Sequence, residues 1–167
     1  MGLVHLYCGD GKGKTSAALG LALRACGAGL RVTVARFLKD TYSGEVAALS
    51  YLPGVRLLPA PDHIKFLWDM TDAEKDAYAK DCQALFRAAV HEPCDVLILD
   101  EIIPAVSAGL ISESELLSFL DRKDREVVLT GRDPSPALME RADYISEILC
   151  RRHPYDSGVP ASRGIEY

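Results

Sequence analysis

The feature that most constrains this chain lies at its start, where an apolar run, a glycine-rich turn and a helix-favouring stretch follow one another. Leu3-Val4-His5-Leu6-Tyr7 reads as a strand and Ser16-Ala17-Ala18-Leu19-Gly20-Leu21-Ala22-Leu23 as a helix. Between them stands Cys8-Gly9-Asp10-Gly11-Lys12-Gly13-Lys14-Thr15, which closes on Gly-Lys-Thr. A strand that runs through such a turn into a helix is how a P-loop holds a nucleoside triphosphate. The glycines let the backbone curl until several N–H groups converge on phosphate oxygens, and the helix N-terminus adds its partial positive charge. Lys14 neutralises phosphate and the Thr15 hydroxyl ligates Mg²⁺, while Gly9, Asp10, Gly11, Lys12, Gly13 and Ser16 complete the expected cradle. The usual spacing sets its first glycine where Cys8 stands. Gly9 comes one residue late, so the loop is a shortened variant.

Strands and helices alternate through the rest of the chain. Gly27-Ala28-Gly29 ends the first helix and Arg31–Arg36 is a second strand. A short apolar-patterned segment covers 44–52, and Val55–Leu58 is a brief third strand. Thr71-Asp72-Ala73-Glu74 has the form of a capping box, opening a helix with Tyr78, Cys82, Leu85, Phe86 and Ala89 on one face until Pro93 stops it. Val96-Leu97-Ile98-Leu99 is a continuous apolar run, expected of a strand buried on both faces of a parallel sheet. Ser112 and Glu115 open a further capped helix, Val127–Thr130 is a fifth strand, Ser135-Pro136 starts a short helix, and Tyr144–Ile148 is a sixth strand. This order predicts an α/β fold of the P-loop NTPase (RecA-like) kind, a mainly parallel sheet of about six strands with helices on both faces. Residues 1–167 are expected to form one domain, with an irregular tail over 152–167.

Three further features bear on chemistry. The buried strand ends in Asp100-Glu101, an apolar strand closed by acids as in a Walker B segment, which supplies the carboxylate side of a Mg²⁺ site. In an open parallel sheet, ligands gather at the carboxyl ends of strands, so these acids belong near the loop; only one of the two need face the metal. Strand two leads into Arg36-Phe37-Leu38-Lys39 and strand five into Thr130-Gly131-Arg132, which makes Lys39 and Arg132 candidate phosphate or substrate contacts on the same rim. Phe66-Leu67-Trp68 alternates so that an extended segment would show both aromatics on one side, either as a wall for a flat apolar substrate or as anchors of a loop on the core.

Composition narrows the function classes. A formal net charge of −5 offers no basic excess to displace phosphate counterions, which argues against a nucleic-acid binder. No apolar run approaches the roughly 20 residues of a bilayer span, and the strand that begins almost at Met1 predicts no leader peptide. Leu6 stands where a myristoylation signal wants Ser or Thr. The five scattered cysteines, without a Cys-x-x-Cys pair, read as free thiols of a reducing cytoplasm. His5, His63, His91 and His153 lack zinc-ligand spacing.

The shortened loop, Arg36-Phe37-Leu38-Lys39 with Ser43-Gly44-Glu45, Phe66-x-Trp68, Leu99-Asp100-Glu101, Thr130-Gly131-Arg132 and the tail His153-Pro154-Tyr155-Asp156-x-Gly158-Val159 through Gly164-Ile165-Glu166 together resemble the ATP:corrinoid adenosyltransferases of the CobA/CobO/BtuR type, over essentially the whole chain. The resemblance implies transfer of the 5′-deoxyadenosyl group of ATP to the Co(I) of a corrinoid, with release of tripolyphosphate. It implies ATP bound in an inverted sense, Mg²⁺ (or Mn²⁺) on Thr15 and Glu101 with Asp100 beside them, and catalytic roles for Lys14, Phe66 and Trp68. The aromatic pair would pack beneath the corrin ring and displace its lower axial ligand. A cytoplasmic homodimer served by an electron-donating reductase such as a flavoprotein completes the expectation, with no nucleic-acid or membrane partner. Two departures stand out. Family members often carry a covering extension ahead of the first strand, whereas this chain begins at the strand, and their Ala-Arg or Ala-Gln pair stands here as Ala161-Ser162 followed by Arg163. The competing readings are a P-loop ATPase or kinase and a nucleotide-dependent corrinoid carrier.

Overall fold

The computed structural model describes residues 2–39, 43–61 and 67–165. Six strands, β1 (Val4–Cys8), β2 (Val32–Arg36), β3 (Val55–Leu57), β4 (Val96–Asp100), β5 (Glu126–Thr130) and β6 (Tyr144–Glu147), form one sheet in the order β3-β2-β4-β5-β1-β6. Every pairing is parallel. Between the strands run helices α1 (Lys14–Gly27), α2 (Gly44–Leu49), α3 (Asp72–His91), α4 (Ile102–Ser107), α5 (Glu113–Leu120) and α6 (Pro136–Arg141). The expected α/β architecture with about six parallel strands is thus the observed one.

Alternation along the strands assigns side chains to two apolar layers. Leu6, Leu97, Leu99, Val127 and Leu129 face one side, where they meet Phe86 and Ala89 of α3, Ile102 and Ile103 of α4, and Leu116 and Phe119 of α5. Val32, Val34, Val96, Ile98 and Val128 face the other side and meet Ala18, Ala22 and Ala25 of α1 and Leu49 of α2. Because β4 lies between two such layers, all five of its residues are buried, which explains its unbroken apolar run. β6 is an edge strand whose residues are all exposed.

The helix starts follow their sequence signals. Thr71 forms a full capping box with Glu74, Ser112 accepts from the Glu115 amide, and Ser135 accepts from the Leu138 amide ahead of Pro136. No helix among the described residues is long and apolar enough to cross a membrane. One expectation fails. Phe66 lies outside the described residues, and Leu67–Asp69 is a 3₁₀ turn, not an extended segment. Three residues per turn replace the two-residue alternation, so neighbours point in different directions. Leu67 packs on the core, whereas Trp68 is 76% exposed.

The sheet order matters for the site. β5 lies between β1, which feeds the glycine-rich loop, and β4, which ends in the acids. Parallel register sets Tyr7 beside Thr130 and Arg36 beside Asp100, so the ends of four strands share one rim.

The turn before β6 is clamped to β1 by Asp143, whose carboxylate accepts from the Val4 amide at 2.8 Å and from the Lys123 ammonium at 3.0 Å. These bonds, the amide first, hold its pKa below the ordinary 3.8. A lowered carboxylate pKa stabilises the fold above the unfolded-state value, and that contribution disappears as pH falls through the folded-state value. Asp143→Asn, which mimics the protonated acid, is therefore expected to lower the urea midpoint at neutral pH. The gap from wild type should narrow as pH drops below 3.8; a gap of constant size across the titration would show that the charge is irrelevant.

Candidate nucleotide-binding site

The glycine-rich loop leaves β1 and enters α1 through Gly13, whose φ of +117° suits glycine and few other residues. Lys14, the first helical residue, is buried and donates from Nζ to the Gly11 carbonyl at 2.8 Å. Gly9 and Gly11 answer a second demand. The segment after β6 crosses directly behind them, the Gly11 amide donates to the Ile148 carbonyl at 2.7 Å, and a Cβ on either glycine would lie 2.5–2.6 Å from that oxygen. Asp10 completes the fastening by accepting from the Cys150 amide at 3.0 Å, a bond that holds its carboxyl below the usual range. The loop is thus shaped by the chain behind it as well as by any phosphate in front.

Asp100, 1% exposed, is the hub of the rim. Its Oδ1 accepts from the Thr15 hydroxyl at 2.9 Å and from the Thr130 hydroxyl at 2.7 Å, and its Oδ2 accepts from Lys39 Nζ at 2.6 Å. The same ammonium donates to Thr15 Oγ1 at 2.6 Å. Thr130 in turn accepts from the Glu101 amide at 2.8 Å, so one hydroxyl orients both acidic positions. Glu101 adopts a left-handed backbone, φ +58°, as the chain breaks from β4 into α4. This strained conformation turns its half-buried side chain into the cleft. Burial and the neighbouring Asp100 charge push its carboxyl up, against the pull of Lys39, Lys14 and Arg132.

The cleft has a volume of about 480 Å³, within the range of small-molecule sites. Asp10, Gly11, Lys12, Gly13, Lys14, Thr15 and Ser16 line it together with Lys39, Glu101 and Arg132, as the sequence predicts. Gly9 and Asp100 stand behind this lining, Trp68 lies outside it, and Phe66 is outside the described residues. Sequence reasoning gave no site role to Glu45, whose carboxylate lies 3.9 Å from the buried Arg36 guanidinium, or to His153, which brings the tail to the rim beside Gly164 and Ile165. It also gave Thr130 no role, although a hydroxyl ending a strand next to an acid-terminated strand was a usable signal.

The donor set suits Mg²⁺. Thr15 commits its proton to Asp100, which leaves its lone pairs to other partners, and Glu101 presents a carboxylate to the same cleft. Hydroxyl and carboxylate oxygens are the ligands a small hard cation prefers. Among the described residues, no cluster of three His, Cys, Asp or Glu side chains could hold a metal alone, so phosphate and water oxygens would fill the remaining positions.

Comparison with known proteins gives a consistent result. The family model described as ATP:corrinoid adenosyltransferase BtuR/CobO/CobP matches residues 1–167. The chain is 31% identical over 179 residues to the corrinoid adenosyltransferase of Escherichia coli, across 99% of this chain and 86% of that protein. Identity and coverage are the same for the corrinoid adenosyltransferase CobA of Salmonella typhimurium. The corrinoid adenosyltransferase of Pseudomonas aeruginosa is 30% identical, across 99% of this chain and 84% of its own. Among solved structures, a KaiC-like protein of Pyrococcus horikoshii shares 16% identity at a TM-score of 0.47, over 87% of this chain and 70% of that one.

Thr130 offers a test of the hub. Thr130→Val keeps the shape but strips the buried Asp100 oxygen and the Glu101 amide of a partner each, which should cost about 1–3 kcal/mol of stability. Thr130→Ser should restore most of it in urea unfolding. If Val and Ser behave alike, the hydroxyl does not organise the acids.

Proposed function

The chain belongs to the ATP:corrinoid adenosyltransferase family and is an ATP-using transferase, and from that premise we propose how its residues carry out the reaction. The reaction moves the 5′-deoxyadenosyl group of ATP to the Co(I) of a corrinoid. The cobalt lone pair attacks C5′, the C5′–O bond breaks, its electrons remain on the departing oxygen, and tripolyphosphate leaves. The reduced cobalt is itself the nucleophile, so the protein's task is to bind, orient and stabilise the leaving group.

The observation that carries this proposal is the gathering of Lys12, Lys14, Lys39 and Arg132 around the loop, with Thr15 and Glu101 in the same cleft. In this reading ATP lies inverted, so the glycine-rich loop holds the whole leaving tripolyphosphate with its amides, except that of Gly11, which is committed to the Ile148 carbonyl, and with Lys14 as a buried cation. Charge accumulates on the leaving group as C5′–O breaks, and preorganised cations act most strongly on such developing charge. Thr15 and Glu101 would hold Mg²⁺, or Mn²⁺ in its place, to neutralise charge on the phosphates, with Asp100 fixing the Thr15 hydroxyl. Trp68, exposed on its 3₁₀ turn, and Phe66 pack beneath the corrin ring and displace the lower axial ligand, leaving four-coordinate Co(II) that is easier to reduce. The proposal extends to a single-domain homodimer in the cytoplasm that takes electrons from a reductase such as a flavoprotein, with small-molecule substrates only.

Mixing the protein anaerobically with Mg·ATP and chemically reduced corrinoid should bleach the Co(I) spectrum and release one tripolyphosphate per cobalt. Orthophosphate release without bleaching would indicate an ATPase, and corrinoid binding with Co(I) intact would indicate a carrier. The Phe66→Ala/Trp68→Ala double variant should lose turnover from Co(II) with a weak reductant yet be largely spared from preformed Co(I), which already lacks the lower ligand. Equal losses in both assays, in a folded variant, would remove the aromatic pair from the cobalt step.

A further inference from the structure

We propose that Lys39 occupies the metal side of Thr15 and Asp100 until a triphosphate draws it away, so that a divalent cation enters this site with the nucleotide and not before it. The inference rests on the reading that the cleft binds Mg·ATP, and concerns how the site is loaded. Its basis is a short three-way contact. Lys39 Nζ lies 2.6 Å from Thr15 Oγ1 and 2.6 Å from Asp100 Oδ2, while Thr15 passes its proton to Asp100 Oδ1. The ammonium therefore bridges the loop hydroxyl and the acid at the end of β4, the two groups between which a P-loop site ordinarily gathers its cation.

The contact has a clear electrostatic cause. Asp100 is 1% exposed, and a buried carboxylate is tolerated only when paired and hydrogen-bonded. Lys39 supplies the pairing charge from the segment after β2, with 22% of its own side chain exposed on the cleft side. A magnesium ion on Thr15 needs an oxygen at about 2.0–2.1 Å. An ammonium held 2.6 Å from that same oxygen would face it as a second cation across a few ångströms, in a site where water screens little. The two cannot share Thr15 on equal terms.

Lys39 also lines the cleft, together with the glycine-rich loop and Lys14. A triphosphate there offers the ammonium several anionic oxygens within the swing of a flexible four-carbon stem. Its departure frees Thr15 while the incoming metal replaces its charge beside Asp100. Nucleotide and metal thus bind with positive coupling, and the coupling passes through one side chain. A lysine fixed beside Asp100 would repel the metal with or without nucleotide, so its removal would raise metal affinity equally in both conditions, whereas a lysine drawn away by the triphosphate makes that gain small once nucleotide is bound.

The probe is Mn²⁺ alone, without nucleotide, followed by electron paramagnetic resonance. Wild-type protein should bind it weakly. Lys39→Met, similar in length and uncharged, should bind Mn²⁺ about tenfold or more tightly, whereas Lys39→Arg, which keeps the charge, should stay near wild type. The melting temperature should repeat the pattern, with Mn²⁺ raising that of Lys39→Met well beyond its effect on wild type. If Lys39→Met does not fold, Lys39→Gln, which retains a donor for Asp100, takes its place in both measurements. Mn²⁺ affinity that is unchanged or weaker in a folded uncharged variant overturns the proposal, and so does a gain over wild type that is as large with a non-hydrolysable ATP analogue present as without it. Failure of the underlying reading has a separate signature, namely wild-type protein that binds no Mg·ATP in calorimetry.

Discussion

A carboxylate with almost no exposure to water must be matched by donors, and the matching of Asp100 organises the rim of this protein. Its two oxygens draw in hydroxyls from the first turn of α1 and the end of β5, and the ammonium that follows β2. Each partner comes from a different stretch of chain, yet all meet because a parallel sheet delivers its strand ends to one side. Inserting β5 between the loop strand and the acid strand is what lets Thr130 stand between them. The apolar layers on either face hold these ends at fixed spacing, so the core of the fold and the geometry of the cleft are one problem.

The same hub suits the chemistry proposed. A nucleophilic cobalt brings the reactive electron pair with it, and what remains for the chain is to gather phosphate charge and to place one carbon. The cations sit on the loop, on the segment after β2 and on the segment after β5, around a cleft that also receives the tail at His153. A loop evolved to cradle phosphates serves equally for a departing tripolyphosphate, since amides and lysines respond to charge and not to which bond is cleaved.

Much of this was readable from residues. The glycine-lysine-threonine loop, the apolar run ending in Asp100-Glu101 and the capping signals at Thr71, Ser112 and Ser135 are local patterns with local causes, and each produced the element expected. What stayed hidden depends on contacts across the sheet. The demand of Ile148 on Gly9 and Gly11 comes from a segment far along the chain, and glycine required by phosphate is indistinguishable in sequence from glycine required by close backbone approach. Alternating Phe66 and Trp68 suggested an extended segment because alternation is the strand signal, but Leu67–Asp69, just ahead of the Thr71 cap, forms a 3₁₀ turn. Lys39 could be placed on the rim from its position after a strand; that it would turn inward to Asp100 could not, because a buried charge reveals itself only once its partner is buried.

In the function proposed, Asp100 acts on the nucleotide site through the Thr15 hydroxyl. A double-mutant cycle on Mg·ATP affinity tests it most directly, with Asp100→Asn, Thr15→Val and the pair of changes together. If the two residues work through one bond, either change breaks it, and the double variant should bind about as weakly as Thr15→Val alone. Losses that simply add would contradict the account and make Asp100 and Thr15 independent contributors to the site.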